Sequence, residues 1–549
     1  MNRHLTITAG LRWDPFFGHT DPKGHVVTIS LPDIVNDVHS TKFPTAPAGY
    51  LFQGDPGGPS GNKLTHNSLD KWSPRIGIAW DPVGDGRLSV RAGFGIFYDF
   101  PNFSYDQFGF EEPYGGAVTV PADGCTTTCL TNPWANFSFT DQSGVTHNGE
   151  DPFPAFVGTG PANAAYLPGS LVFSYPQNIK PTYVMQYNLS VEKQVGTSWL
   201  LSIAYLGSQQ RHLWGNNEAN PGMQGPCPVA YPLPGGVSCT PGPCIGAAPP
   251  FTCPLPFQPP PPPGNPGFYG LSENRMLQHY GSLCSPTTSC YGETLLLEEG
   301  GTGNYNGLLL SAQHRFANHY TSTTNFTWSH CISDNYTTTL GFFLAAEEVP
   351  YDRHADRGNC PSADTHLIFN QSFVAQSPHF SGNLLKEILL GDWQPSVSAI
   401  VQSGLDFSPI MILDFSGSGN GLTQRPSLVP GADPYCHPKG RDCWLNPASF
   451  APPAPYTFGN VGNNSLFGPG AIIVNTALAR IFQIREGQQL EFRWEVFNVP
   501  NHANLYPSQT AFVAPTFGQP TPASTAGLGA LNQTVNDPRI MQFALKYLF

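Results

Sequence analysis

Charge is scarce in this chain: 11% of its 549 residues are Asp, Glu, Lys or Arg, where a globular protein usually carries about 25%. Basic residues are the scarcer kind, 25 Lys and Arg against 38 acids, for a net charge of −13. They form no patch, which excludes the electrostatic footprint of a nucleic-acid binder. Long hydrophobic runs are also missing. No run of about 18 apolar residues occurs, so no transmembrane helix is expected. Met1-Asn2-Arg3-His4 leads straight into a strand pattern, without the apolar core of a secretion signal. Either a cytosolic chain or one lacking its beginning is expected on that ground. Helical periodicity is absent too. The 58 glycines and 57 prolines are poor helix formers, and the length is too great for one ordinary soluble domain.

What the chain does have is alternation. Leu490, Phe492, Trp494 and Val496 alternate with Glu491, Arg493 and Glu495, and Met541, Phe543, Leu545, Tyr547 and Phe549 alternate with Gln542, Ala544, Lys546 and Leu548. Period two predicts strands with one apolar and one polar face. Similar segments recur near 5–13, 72–80, 88–98, 183–191, 199–205, 305–316, 320–330, 366–376, 393–403 and 471–484, giving about twelve strands, most near the 9–11 residues that cross a tilted bilayer. Their connections sort by length: short at one end (81–86, 196–197, 317–319, 485–487), long at the other (14–71, 99–182, 207–304, 331–365, 404–470). A soluble sandwich has no reason to sort loops this way. An antiparallel transmembrane β-barrel does, with short periplasmic turns and long outer loops. The predicted fold is therefore all-β, an outer-membrane barrel of which about twelve strands are visible. Trp13, Trp72, Trp80, Tyr98, Tyr547 and Phe549 suit its interfacial girdles, and Arg91, Glu491, Arg493 and Glu495 are expected on the lumen face. A one-residue slip would turn Arg493 to lipid at a cost of about 2–4 kcal/mol.

The twelve cysteines all fall in predicted outer loops, as Cys125 and Cys129, six between Cys227 and Cys290, Cys331 and Cys360, and Cys436 and Cys443. Even numbers within each loop favour disulfides in an oxidising compartment. Pairs with zinc spacing are lacking, so no metal is expected, nor any cofactor. Gly417–Gly421 is a Gly-rich stretch, but it lacks the lysine and the strand–helix setting of a phosphate loop. Asp352, His354, Asp356 and Arg357 suggest at most a carboxylate–histidine site and are read as solvated loop polarity. No catalytic residues and no enzyme activity are predicted. A glycosidase would need paired carboxylates in a cleft.

With the strands placed, the sequence resembles the C-terminal barrel portion of TonB-dependent outer-membrane receptors, specifically the Oar-like group. The resemblance rests on KWSPRIGIAWDPVGDGRLSVRAGFGIFYD (71–99), WLNPASF (444–450), FGNVGNNSLFGPG (458–470), EGQQLEFRWEVFNVPNHANL (486–505) and DPRIMQFALKYLF (537–549). YNGLLLSAQHRF (305–316) and QSGLDFSP (402–409) are weaker echoes. It implies a bacterial outer-membrane location and uptake of a small-molecule or peptide solute: a siderophore, a carbohydrate or a peptide. It also implies a wall of roughly 22 strands, so residues 1–549 are expected to be the later part of such a barrel. The family's signal peptide, small β-sandwich and plug have no counterpart in this sequence, and the contact with the TonB complex would be made through that plug. The end Phe543, Leu545, Tyr547, Phe549 resembles the signal read by the barrel-assembly machinery. A surface-binding or adhesive barrel, working through disulfide-bonded loops without transport, is the alternative.

Overall fold

The computed structural model describes the chain apart from residues 1–3, 101–131, 133, 136–137, 141–145, 151–165, 167–171, 175, 221–230, 233–237, 240–290, 317–319, 335–346, 351, 361–364, 381–383, 412–423, 454–456, 507–510, 513–532 and 535. Twelve strands form one antiparallel meander: β1 (Leu5–Trp13), β2 (Trp72–Trp80), β3 (Leu88–Asp99), β4 (Thr182–Val195), β5 (Trp199–Glu218), β6 (Thr294–Phe316), β7 (Tyr320–Ser333), β8 (Leu367–Ala375), β9 (Trp393–Gln402), β10 (Ala471–Arg485), β11 (Gln488–Phe497) and β12 (Ile540–Leu548). Each is hydrogen-bonded to its neighbours in chain order, and β1 and β12 form the two edges of the sheet. Two short strands join it off this path, Val172–Ser174 beside β6 and Gly358–Asn359 beside β7.

Register carries the alternation from strand to strand. Leu490, Phe492, Trp494 and Val496 stand opposite Tyr547, Leu545, Phe543 and Met541, and opposite Phe482, Arg480, Leu478 and Thr476 on the other side. One face is thereby apolar across the wall and exposed: Ile76, Leu189, Ile203, Leu545 and Phe543 are all open to the surroundings. Trp13 and Trp72 stack at its long-loop end, with centroids 6.1 Å apart. Three polar side chains on this face, Ser322, Thr324 and Gln371, satisfy one another, as lipid-facing polarity favours. Thr324 Oγ1 donates to Gln371 Oε1 (2.5 Å) and Gln371 Nε2 to Ser322 Oγ (2.9 Å).

Two strands run much further than their alternation suggested. β5 continues to Glu218 and β6 begins at Thr294, and they pair through that extension with register shifts between Arg211 and Gly215. Gly, Asn, Gln and Glu interrupt the apolar positions there, because beyond the bilayer level neither face needs to be greasy. A second departure concerns the connections. The segment 376–392, between β8 and β9, is at the short-turn end yet holds a helix (Leu384–Leu390), so not every link at that end is a tight turn.

The buried core lies above the wall, among the long loops. In the first of them α1 (Leu31–Val35) starts at Ser30, whose hydroxyl accepts from Asp33 N, with Pro32 in the first turn. Ile34, Phe43, Tyr50, Leu51 and Phe52 are buried around it. Gly49 has φ +75°, and a Cβ there would come within 2.6 Å of Ser30 O, so only glycine fits. Asp55 accepts from Ser40 Oγ (2.6 Å), Thr41 N (2.8 Å) and Phe52 N (2.9 Å). The loop is fastened to distant chain by Ile29 N donating to Ser174 Oγ (3.0 Å) and Tyr291 Oη donating to Ala48 O (2.8 Å).

Candidate functional site

At the long-loop end, three stretches distant in sequence converge on buried charge. The disulfide Cys331–Cys360, Cα atoms 5.3 Å apart, pins the segment after β7 back to that strand. Within it a 3-10 turn, Arg353–Asp356, starts at Asp352, whose carboxylate accepts from His354 N (3.0 Å). Asp356 accepts from Arg425 Nη1 (2.5 Å) and from Glu348 N (2.8 Å). Glu348 pairs with the Arg425 guanidinium and also accepts from Arg425 N (2.7 Å). Arg425 uses its remaining donors on Val461 O (2.9 Å) and Ala355 O (3.1 Å). Beside this triad Arg353 bridges Glu347 (3.1 Å) and Glu298 on the extension of β6 (2.7 Å).

Two buried carboxylates share the Arg425 charge, and burial prevails: it pushes Glu348 up to about 7, against the pull of Arg425. Glu347 is also raised well above the usual carboxylate range, by burial and by Glu298, against Arg353. The network fastens β6, the 347–360 segment and the 424–464 segment into one unit. Asn359 and Asn464 complete it with reciprocal amide bonds to each other's carbonyl oxygens, both 2.9 Å. Next to it lies a small apolar core of Phe407, Met411, Leu445, Phe450, Val461 and Leu466, roofed by Tyr435 and Trp444. The second disulfide, Cys436–Cys443 (Cα atoms 5.8 Å apart), closes the tip, where Lys439 Nζ sits 3.7 Å from the Tyr435 ring centroid.

The four residues that suggested a carboxylate–histidine site do not converge on a shared reacting centre. Asp352 caps a turn, Asp356 is taken up by Arg425, and Arg357 reaches Asn304 Oδ1 (3.3 Å) on β6. The arrangement holds loops in place and presents a shaped surface. The buried Glu347–Glu348–Arg425 set was missed by the sequence reading. Its only local sign was two adjacent acids inside the apolar stretch 341–351.

The charges expected on the inner face fall on the polar face of the wall. Arg91 Nη2 lies 3.8 Å from Glu192 Oε2. Arg493 Nε lies 2.9 Å from Glu495 Oε1, Glu495 also takes a bond from Gln542, and Glu491 stands opposite Lys546. The last three share β11, whereas Arg91 is on β3, far along the sheet. Phe543, Leu545, Tyr547 and Phe549 lie on the exposed edge strand or just past it. Cys125, Cys129, Cys227, Cys244, Cys253, Cys284, Cys290 and Gly417–Gly421 lie outside the described residues, and Cys239 ends a two-residue strand, Ser238–Cys239. At the short-turn end His379, Glu387 and Asp392 bring metal-type donor atoms within 4.8 Å of one another, a set the sequence reading did not foresee. It carries its own cation: Arg480 Nη2 is 3.2 Å from Glu387 Oε1. The hydrogen bond with Asp392 and the charge of Glu387 raise the pKa of His379 itself.

Reduction of Cys331–Cys360 should release the 331–360 segment, since closing a loop of 29 residues contributes roughly 3–4 kcal/mol. Amide exchange in 352–360 should accelerate on adding reductant while β11 and β12 stay protected. Unchanged exchange there would show that the charge network alone holds the segment.

A family described as "Outer membrane beta barrel domain" matches residues 1–542. No curated protein matches. Among solved structures the chain is similar to the outer membrane transporter YddB from Escherichia coli, at 9% identity and TM-score 0.38 over 80% of this chain and 38% of that one. It is similar to the FrpB iron transporter from Neisseria meningitidis, at 8% identity and TM-score 0.34 over 88% of this chain and 41% of that one. It is similar also to the ferripyoverdine receptor of the outer membrane of Pseudomonas aeruginosa, at 9% identity and TM-score 0.34 over 88% of this chain and 34% of that one. The chain spans less than half the length of each.

Proposed function

The chain belongs to the outer-membrane β-barrel domain family, and from that premise we propose that residues 1–549 form barrel wall and outer loops of a TonB-dependent, Oar-like uptake receptor. The solute would be a siderophore, a carbohydrate or a peptide. In the bacterial outer membrane the apolar face of the meander meets lipid, the polar face lines the lumen, and the long loops face outward. The observation that carries the reading is the bonding of those loops into one body. A buried triad, two disulfides and a local core fix the surface that a solute would meet first. Preorganised loops bind without the ordering cost that floppy ones incur. The energy-coupled step would be made through a plug, by way of the TonB complex, and the lumen charges Arg91, Glu491, Arg493 and Glu495 would contact that plug.

Cells carrying the full-length receptor should accumulate its solute only with TonB and a membrane potential, and should lose solute binding when residues 404–470 are deleted. Binding that survives in the absence of any TonB-dependent uptake would favour the adhesive alternative. Uptake that is indifferent to TonB would overturn the proposal.

The end of the chain is proposed as the segment that the barrel-assembly machinery reads. Tyr547 and Phe549 are in contact, with centroids 5.9 Å apart, and Phe549 is 96% exposed. Deleting Phe549 should lower the amount of folded receptor in the outer membrane several-fold while synthesis continues. Equal surface abundance, read by outer-membrane fractionation, would rule the role out.

A further inference from the structure

The register places an arginine on the lipid-facing side of the wall. Arg480 belongs to the lipid-facing row of β10, opposite Trp393 on β9 and Phe492 on β11. Its guanidinium lies over the Phe482 ring (4.6 Å) and the Trp393 ring (5.6 Å). A bare arginine facing acyl chains is costly, yet this one is only 5% exposed and bonded to Glu387. Glu387 sits in the helix of the 376–392 segment, α2 (Leu384–Leu390). That helix therefore stands outside the barrel, against its lipid-facing wall and just beyond the short turns.

Its other side is apolar and open. At 100° per residue, Leu385 and Leu389 lie opposite Glu387 on the helix. They are 71% and 68% exposed, and Leu390 is 57% exposed. The segment is held firmly enough to aim them. Phe380 N donates to Glu387 Oε2 (2.6 Å), His379 Nδ1 lies 2.9 Å from Asp392 Oδ2, and Ser377 and Trp393 bond each other, Ser377 N to Trp393 O and Trp393 N to Ser377 Oγ, both 2.8 Å.

We propose that α2 is an interfacial anchor, whose leucines sink into the periplasmic leaflet of the outer membrane while the Glu387–Arg480 pair fastens it to the barrel wall. The leucines are exposed on a helix bonded through Glu387 to the lipid-facing row of the wall at its short-turn end, where headgroups meet acyl chains, and phospholipid is the partner that level offers. The inference rests on the outer-membrane location alone and is independent of any solute.

The test uses the full-length receptor in native outer membranes, with photoreactive p-benzoylphenylalanine replacing Leu389, Leu385 or, as an aqueous control, Asp85 in the tight turn between β2 and β3. After illumination, intact-mass analysis of the heat-modifiable, folded fraction should show phospholipid adducts at 389 and 385 and none at 85. A protein adduct, a crosslinked second copy or no adduct at 389 and 385 would each overturn the anchor. In a second arm Glu387→Lys, which sets two cations against each other, should reduce the phospholipid adduct at 389. An undiminished adduct would show that Arg480 does not fasten the helix.

Discussion

Arg425→Ala should loosen the outer-loop body by about 3–5 kcal/mol. The side chain is 6% exposed, and the two carboxylates it serves, Glu348 and Asp356, are each 1% exposed. Removing the guanidinium leaves both acids buried without their counter-charge and strips donors from Val461 O and Ala355 O. Amide exchange should rise in 352–360 and 424–453 while the wall strands keep their protection. Unaltered exchange in both segments would refute a structural role for the triad. The same site gives the loops a pH dependence. Burial raises Glu348 from 4.5 to about 7 in the folded protein, so the folded state holds its proton more tightly than the unfolded one. That contribution is complete below pH 4.5 and fades as pH rises through about 7. Loop protection in the wild-type protein should accordingly be greater at pH 5 than at pH 8. The reverse order would mean that the Arg425 attraction outweighs burial.

On the proposal that residues 1–549 are part of a larger wall, this stretch produced alone should neither close as the whole barrel nor take up solute. The two edges of the sheet, β1 and β12, are exposed along their whole lengths. In lipid, each backbone group left unpaired there costs several kcal/mol. A row of them exceeds any packing gain the edges can make. Closure as a smaller, self-contained barrel would crowd Glu491, Arg493 and their neighbours into a narrow lumen. Reconstitution in liposomes should give aggregated or inactive protein, judged by heat-modifiable migration and solute flux. Energy-dependent uptake by these residues alone would refute the proposal that they are part of a larger wall.

The wall was legible in the sequence wherever lipid imposes alternation. β1, β2, β11 and β12 begin and end within a residue or so of the expected bounds, because one face must be apolar at every second position. Beyond the bilayer that constraint lapses, and the extensions of β5 and β6 read as loop. α2 was missed for a related reason: seven residues of Leu, Ile, Lys and Glu between two strands offer little helical period to detect. The Glu348–Asp356–Arg425 triad was illegible in principle, since Arg425 N and its Glu348 acceptor are 77 residues apart and burial of charge leaves no periodic trace. Two of the cysteine pairings were easier to read, for Cys436–Cys443 closes within a single loop and Cys331–Cys360 joins the end of β7 to the loop that follows it.

The strand order has a consequence for how such proteins change over generations. Along the path of the wall each strand bonds to those before and after it in the chain, with short loop strands added beside β6 and β7, so a hairpin is close to a self-contained unit of inheritance. Duplicating or deleting one hairpin changes partners only for the strands that flank it and alters the circumference by a fixed step. Loops at the open end can likewise be exchanged between relatives without disturbing a single pairing below them. Selection can thus rewrite what the surface meets while the staves beneath stay in register.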